Sequence, residues 1–257
     1  MPTITLNQQA FFYAHHKNVQ AAYHVILIHG AGGTHLVWPA ALRRLPGANV
    51  YALDLPGHGR SAGNGYAQVR EYADSVVQFI KTLALDKVVL IGHSMGGAIA
   101  QTIALRQLPE IAGQVLIGTG ARLRVSPAIL DQILPNFEQA ITAINQFSWS
   151  AAVPPEMAVR GFEQLRETEP GVLQRDFLAC DQFDVRAQLA EINAPTLVIA
   201  AAEDQLTPPK FGRFLAGNLP QAQFVLLENA GHMMMVEKPG ETAEAVREFL
   251  RGLGAGD

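Results

Sequence analysis

The sequence predicts an α/β fold, a doubly wound and mostly parallel sheet with a helical cap inserted between two of its strands. Three observations carry this. Apolar runs of strand length recur without polar alternation, so both faces of each strand are buried, as in a parallel sheet covered by helices. Amphipathic helical patterns lie between them, which is the βαβ grammar of an open wound sheet. The alternation then breaks between Arg122 and Ala190, where only helix-like segments occur.

In chain order, Thr3 to Leu6 and Phe11 to Tyr13 read as two short strands around a polar turn at Asn7-Gln8. His24 to Ile28 is the first continuous apolar run, closed by His29-Gly30. Asn49 to Leu53 follows, closed by Asp54 and Pro56-Gly57. Lys87 to Ile91, Gly113 to Ile117, Pro195 to Ala200 and Gln223 to Leu227 complete the set. Between them, Tyr66 to Leu83 places Val69, Tyr72, Val76, Phe79, Ile80 and Leu83 on one stripe. Ser94 to Leu105, Pro208 to Leu215 and Gly240 to Leu250 are the other core helices. The inserted stretch offers Ala128 to Phe147, with a kink expected at Pro135, then Pro155 to Glu167 and Leu173 to Cys180. Pro127, Pro154-Pro155 and Pro170-Gly171 punctuate it. The expected division is a core of 1–121 and 191–257 with a cap of 122–190.

Composition agrees with a large buried core. Of 257 residues, 49% are hydrophobic and only 16% charged, the reverse of a disordered chain. The net charge is −4 and the basic residues are scattered, so no field exists to hold nucleic acid. Met1 to Asn7 lacks a basic start, and no apolar core of signal-peptide length follows it. The longest apolar run, Lys87 to Leu105, is broken by His93, Ser94, Gly96, Gly97 and Gln101, so no membrane insertion is expected. One cysteine, Cys180, cannot form an internal disulfide, which suits a reducing cytoplasm. With no histidine near it in sequence, Cys180 reads as a buried structural thiol rather than a nucleophile.

Gly92-His93-Ser94-Met95-Gly96-Gly97 carries the chemistry. It follows an apolar strand and opens a helix, the context of a G-x-S-x-G nucleophile elbow. A serine at so tight a turn is pushed up with its hydroxyl exposed, and the turn leaves no room for side chains at Gly92 and Gly96. The helix start behind it points free N–H groups at developing negative charge.

On these residues the chain resembles the α/β-hydrolase superfamily, in its esterase and lipase-like branch, over nearly its whole length. A serine needs a base, and the resemblance implies His232, in Asn229-Ala230-Gly231-His232 after the last strand. It implies Asp204, in Ala201-Ala202-Glu203-Asp204-Gln205-Leu206-Thr207, as the carboxylate that orients the histidine. Glu203 is the adjacent rival, and the family often has glycine where Ala201 stands. The loop Gly118-Thr119-Gly120, an alternative source of the acid in some relatives, has no carboxylate. The oxyanion donors are expected to be the N–H of Met95 and, by the family pattern, of Ala31 in His29-Gly30-Ala31-Gly32-Gly33. Of the remaining histidines, His29 resembles a structural histidine beneath this loop. His58 sits in a recurrent turn, Asp54 to Ser61, and His93 is expected to point away from the reacting face.

The chain is therefore expected to cleave small to medium apolar esters, with no cofactor and no metal. Leu36, Trp38, Phe137, Ile141, Leu206 and Met233 are the candidate pocket residues, and Arg122 and Arg124 are expected at the surface. A lactonase, a carbon–carbon hydrolase, a lyase or a perhydrolase could use the same triad, and a non-catalytic receptor could retain it. Carbon–carbon hydrolases of the family often carry Asn where this chain has His93, which favours esters. Oligomeric state is left open.

Overall fold

The computed structural model describes residues 2–6 and 8–254; Met1 and Asn7 of the N-terminal stretch, and so half of the expected Asn7-Gln8 turn, lie outside them. Among the described residues eight strands form one sheet: β1 (Thr3–Leu6), β2 (Gln9–His16), β3 (Tyr23–Ile28), β4 (Ala48–Leu53), β5 (Val88–His93), β6 (Ile111–Ile117), β7 (Thr196–Ala201) and β8 (Ala222–Leu227). Their order across the sheet is β1-β2-β4-β3-β5-β6-β7-β8. β1 and β2 are antiparallel, and β4 through β8 run parallel.

The helices are α1 (Ala40–Arg43), α2 (Val69–Thr82), α3 (Met95–Ala104), α4 (Pro127–Leu130), α5 (Phe137–Phe147), α6 (Pro155–Arg166), α7 (Pro170–Gln182), α8 (Pro209–Asn218), α9 (Met234–Glu237) and α10 (Pro239–Gly254). Successive residues of one strand feed opposite cores. Ile26 and Ile28 of β3 join α2, α3 and α8 on one face, whereas Val25 and Leu27 join α1 and α10 on the other. This is why the strand runs show no alternation.

The chain leaves β3 toward β4 on one side and returns to β5 on the other, with β3 and β5 paired through Ile28 and Gly92. The carboxyl ends of β3 and β5 thus flank the switch point, where open α/β sheets open a crevice. The loops after these two strands are the glycine-rich His29–Gly33 segment and the serine elbow.

Between β6 and β7 the chain forms α4 to α7. An isolated antiparallel bridge between Arg122 and Asp184 joins its two ends into a neck. The expected kinked helix over 128–147 is instead two helices, α4 and α5, separated by turns at 131–136. Pro135 offers no N–H and its ring opposes the carbonyl four residues back. Asn136 then takes φ −140°, outside the helical region, before α5 begins. The insertion has its own small core of Ile133, Ala140, Ile141, Ile144 and Leu173.

Candidate active site

The elbow is held by steric necessity. Ser94 adopts φ 53° and ψ −116°, a region that costs an ordinary residue about 1–3 kcal/mol. A Cβ on Gly92 would collide with the Gly96 carbonyl, and one on Gly96 would collide with the Ile28 carbonyl. Thr119 Oγ1 donates to the Ser94 carbonyl at 2.9 Å, so the loop after β6 braces the turn. Met95 opens α3, and a first-turn N–H has no carbonyl one turn back to bond.

The glycine loop lies directly against the elbow. A Cβ on Gly30 would stand 3.1 Å from Ser94 Cβ. The Gly30 carbonyl accepts from His29 Nδ1–H at 2.8 Å and from Gly33 N–H at 3.1 Å. His29 Nε2 in turn accepts from Leu55 N–H at 3.1 Å, so the ring is a neutral brace. Burial, reinforced by the neighbouring His58, pulls the His29 pKa down to about 4. Because a trans peptide sets N–H opposite C=O, the fixed Gly30 carbonyl directs Ala31 N–H the other way.

The structure pairs His232 with Asp204, Nδ1 standing 2.9 Å from Oδ2 and 3.2 Å from Oδ1. Both side chains are buried. Asp204 also accepts from Leu206 N–H at 2.9 Å, Thr207 N–H at 2.8 Å and Thr207 Oγ1–H at 2.7 Å. Burial works against its charge, but His232 and these donors outweigh burial and hold the carboxyl below its usual range. The rival Glu203 points elsewhere and accepts from Ala151 N–H at 2.8 Å.

Ser94, His232, Ala31, Leu206 and Met233 all border one cavity of about 630 Å³ between the sheet and the insertion. Among the described residues no hydrogen bond joins the Ser94 hydroxyl to His232; the two share the cavity wall. The remaining wall is mostly apolar and includes Ile129, Ile144, Trp149, Leu165 and Phe211.

Four expected pocket residues lie elsewhere. Leu36 is 57% exposed at the surface, in a short turn whose side chain faces outward. Trp38 is fully buried in the core beneath the sheet, packed with α1 and α10. Ile141 is sealed inside the insertion's own core, and Phe137 packs against that core. His93 also departs from expectation: it borders the cavity, its ring centre lies 4.6 Å from that of His232, and its Nε2 donates to the His232 carbonyl at 3.0 Å. Burial and the nearby His232 push its pKa down to about 3, so it braces the loop as a neutral donor. Arg124 reaches the cavity rim while 68% exposed, and Arg122 lies beside Asp184 at the neck. Cys180 is buried and borders the cavity, and burial drives its thiol pKa upward. Among the described residues no group of three His, Cys, Asp or Glu side chains could hold a metal ion. Nor is any helix among them long and apolar enough to cross a membrane.

Residues 25–245 match the Alpha/beta hydrolase family. The chain belongs to this family. It is 30% identical over 242 residues to the putative carbamate hydrolase RutD of Pseudomonas syringae, covering 88% of this chain and 93% of that one. It is 28% identical over 244 residues to the pimeloyl-[acyl-carrier protein] methyl ester esterase of Neisseria meningitidis, covering 89% and 77%. Among solved structures, a thermophilic esterase superposes with a TM-score of 0.86 at 32% identity, covering 98% of both chains. These relatives fit a serine ester hydrolase.

Proposed function

We propose that this family member cleaves carboxylic esters with small to medium apolar groups through an acyl-enzyme on Ser94. The observation that carries the reading is the buried Asp204–His232 pair opening onto the same cavity as the strained serine. Asp204 fixes the proton on Nδ1, which leaves Nε2 free as a base. On this reading the serine hydroxyl turns to Nε2 as substrate arrives, since such contacts often tighten only in the complex. His232 takes the proton while Oγ attacks the acyl carbon. The N–H groups of Ala31 and Met95 receive the oxyanion, a contact worth about 3 kcal/mol per donor. His232 then protonates the departing alcohol, and water, deprotonated by the same imidazole, releases the acid.

The apolar wall supports a substrate whose bulk is hydrocarbon, with residues 122–190 acting as the cap over the 1–121 and 191–257 core. A reducing cytoplasm suits a chain whose one cysteine is buried. The test is turnover of a p-nitrophenyl ester series by the purified protein and by Ser94→Ala, together with fluorophosphonate labelling. The wild type should turn over and label, and the variant should do neither. Equal turnover by the two proteins would remove Ser94 from the mechanism.

A further inference from the structure

The loop that carries Ala31 is anchored from two directions. The core holds the Gly30 carbonyl through His29. The next residue, Gly32, has φ 63° and is held by the insertion at both of its backbone polar groups. Its N–H donates to Asp176 Oδ2 at 2.9 Å, and its carbonyl accepts from Thr168 Oγ1–H at 3.0 Å. Leu173 and Leu165 close over it, and an added Cβ would meet their methyl groups at 2.8 and 3.0 Å.

Asp176 is fully buried on α7. It gathers three donors from three separate segments of the core. Besides Gly32, His58 Nε2–H donates to Oδ2 at 2.7 Å and Tyr72 O–H donates to Oδ1 at 2.5 Å. His58 Nδ1 faces the Pro56 carbonyl at 3.1 Å, so both ring nitrogens meet acceptors and the ring is held as a cation. Burial opposes that charge, but the Asp176 carboxylate outweighs burial and holds the His58 pKa above its ordinary value. A buried ion pair is seldom the most stable way to dock two elements, since apolar residues of similar volume usually do as well. What it supplies here is direction: it fixes the peptide that follows Ala31.

We propose that Asp176, assisted by Thr168, is a positioning residue for the oxyanion hole, so that the insertion sets the aim of the Ala31 N–H through Gly32. The cap then completes the catalytic geometry as well as walling the pocket. This rests on the reading of Ser94 as an ester nucleophile.

The test compares wild type, Asp176→Asn and Thr168→Val on p-nitrophenyl acetate, whose acyl group is too short to need the cap's apolar wall. A trifluoromethyl ketone, which forms a charged hemiketal on a reactive serine, reports the oxyanion hole directly. We expect kcat to fall about tenfold or more in Asp176→Asn and severalfold in Thr168→Val, with KM held within about twofold. The inhibition constant should rise in step with the loss of kcat/KM. Unchanged kcat, a loss confined to KM, or an unchanged inhibition constant would overturn the inference. If Asp176→Asn does not fold, Thr168→Val, which keeps the Asp176–His58 pair, decides alone by the same criteria. A wild type that neither turns over ester nor takes up fluorophosphonate sinks the ester reading and this inference together. An active wild type with equally active variants sinks only the inference.

Discussion

The Glu237 carboxylate accepts a hydrogen bond from Gly231 N–H at 2.9 Å, one residue before His232. Its other oxygen accepts from Ser150 N–H at 3.1 Å, so one side chain clamps the histidine loop to the insertion. Met233 N–H adds a bond to the Ser148 carbonyl at 3.0 Å. Glu237→Ala would strand two backbone donors in a part-buried place. The expected loss is about 1–3 kcal/mol of stability together with reduced kcat. Urea unfolding and ester kinetics on the same variant check it; a change in neither would show the clamp to be idle.

Asp204→Asn keeps the shape of the acid but presents an amide to Nδ1 of His232. Where the Asn NH₂ faces the ring, Nδ1 must accept, the proton moves to Nε2, and the base is lost. The expected fall in kcat on an activated ester is about 10³–10⁴-fold at neutral pH, with little change in fold. The backbone N–H groups of Leu206 and Thr207 both donate to Oδ1, at 2.9 and 2.8 Å, and keep the amide oxygen at that position, which turns the NH₂ to the Oδ2 position facing Nδ1. A neutron structure of the variant would show the proton on Nε2 directly. Turnover within a few percent of wild type would dismiss Asp204 as the orienting acid.

Much of this arrangement was readable from residue order, because strand runs and glycine spacing act locally. Gly92 and Gly96 are demanded by contacts that any elbow of this kind would make. Pocket walls are different. Leu36 and Trp38 flank the same loop, yet one faces solvent and the other the core below the sheet, and nearness along the chain does not tell these apart. Ile141 and Ile144 share a helix, and only the second meets the cavity. Neither Asp176 nor Glu237 belongs to a motif, so spacing alone does not point to them. Asp176 did leave a trace: it shares a helical face with Leu173 and Cys180, and a lone carboxylate on an apolar stripe signals a buried partner.

His29 and His93 make stability depend on pH. Both are neutral in the fold, with pKa values of about 4 and about 3, against 6.5 for an exposed imidazole. As pH falls below 6.5 the unfolded chain takes up protons that the native state refuses. Their contribution is therefore complete above 6.5 and is lost as pH falls toward those folded values. Each costs up to about 1.4 kcal/mol per pH unit. His15 shifts in the same direction. His58, whose pKa is raised, behaves oppositely: its contribution is whole below 6.5 and is lost as pH rises from there through its raised folded value, so it does not cancel the acid-side loss. Asp54 and Asp204, with lowered values, matter only below about 4, where an unfolded carboxylate would protonate. Urea unfolding between about pH 4.5 and 6.5 should show stability rising with pH, and His93→Asn should make that rise shallower. A flat wild-type profile would contradict neutral buried rings.

The cavity sets the last expectation, on chain length. Ala143 on α5 contributes a small side chain to the wall, beside Ile144 and facing the space bordered by Leu165 and Phe211. Ala143→Phe adds a ring where the wall is already apolar, so it removes volume without introducing charge. The elbow and the His232 loop stand on the sheet side of the cavity and are not displaced by it. Acetate esters should therefore keep their kcat/KM, while octanoate esters should lose about tenfold or more, since each displaced methylene is worth roughly 1 kcal/mol or more of transition-state binding. The ratio of the two kcat/KM values isolates the effect from any change in enzyme concentration or folding. Equal losses on both esters would place the acyl chain somewhere other than against α5. A loss on acetate alone would mean that the added ring reaches the reacting centre itself.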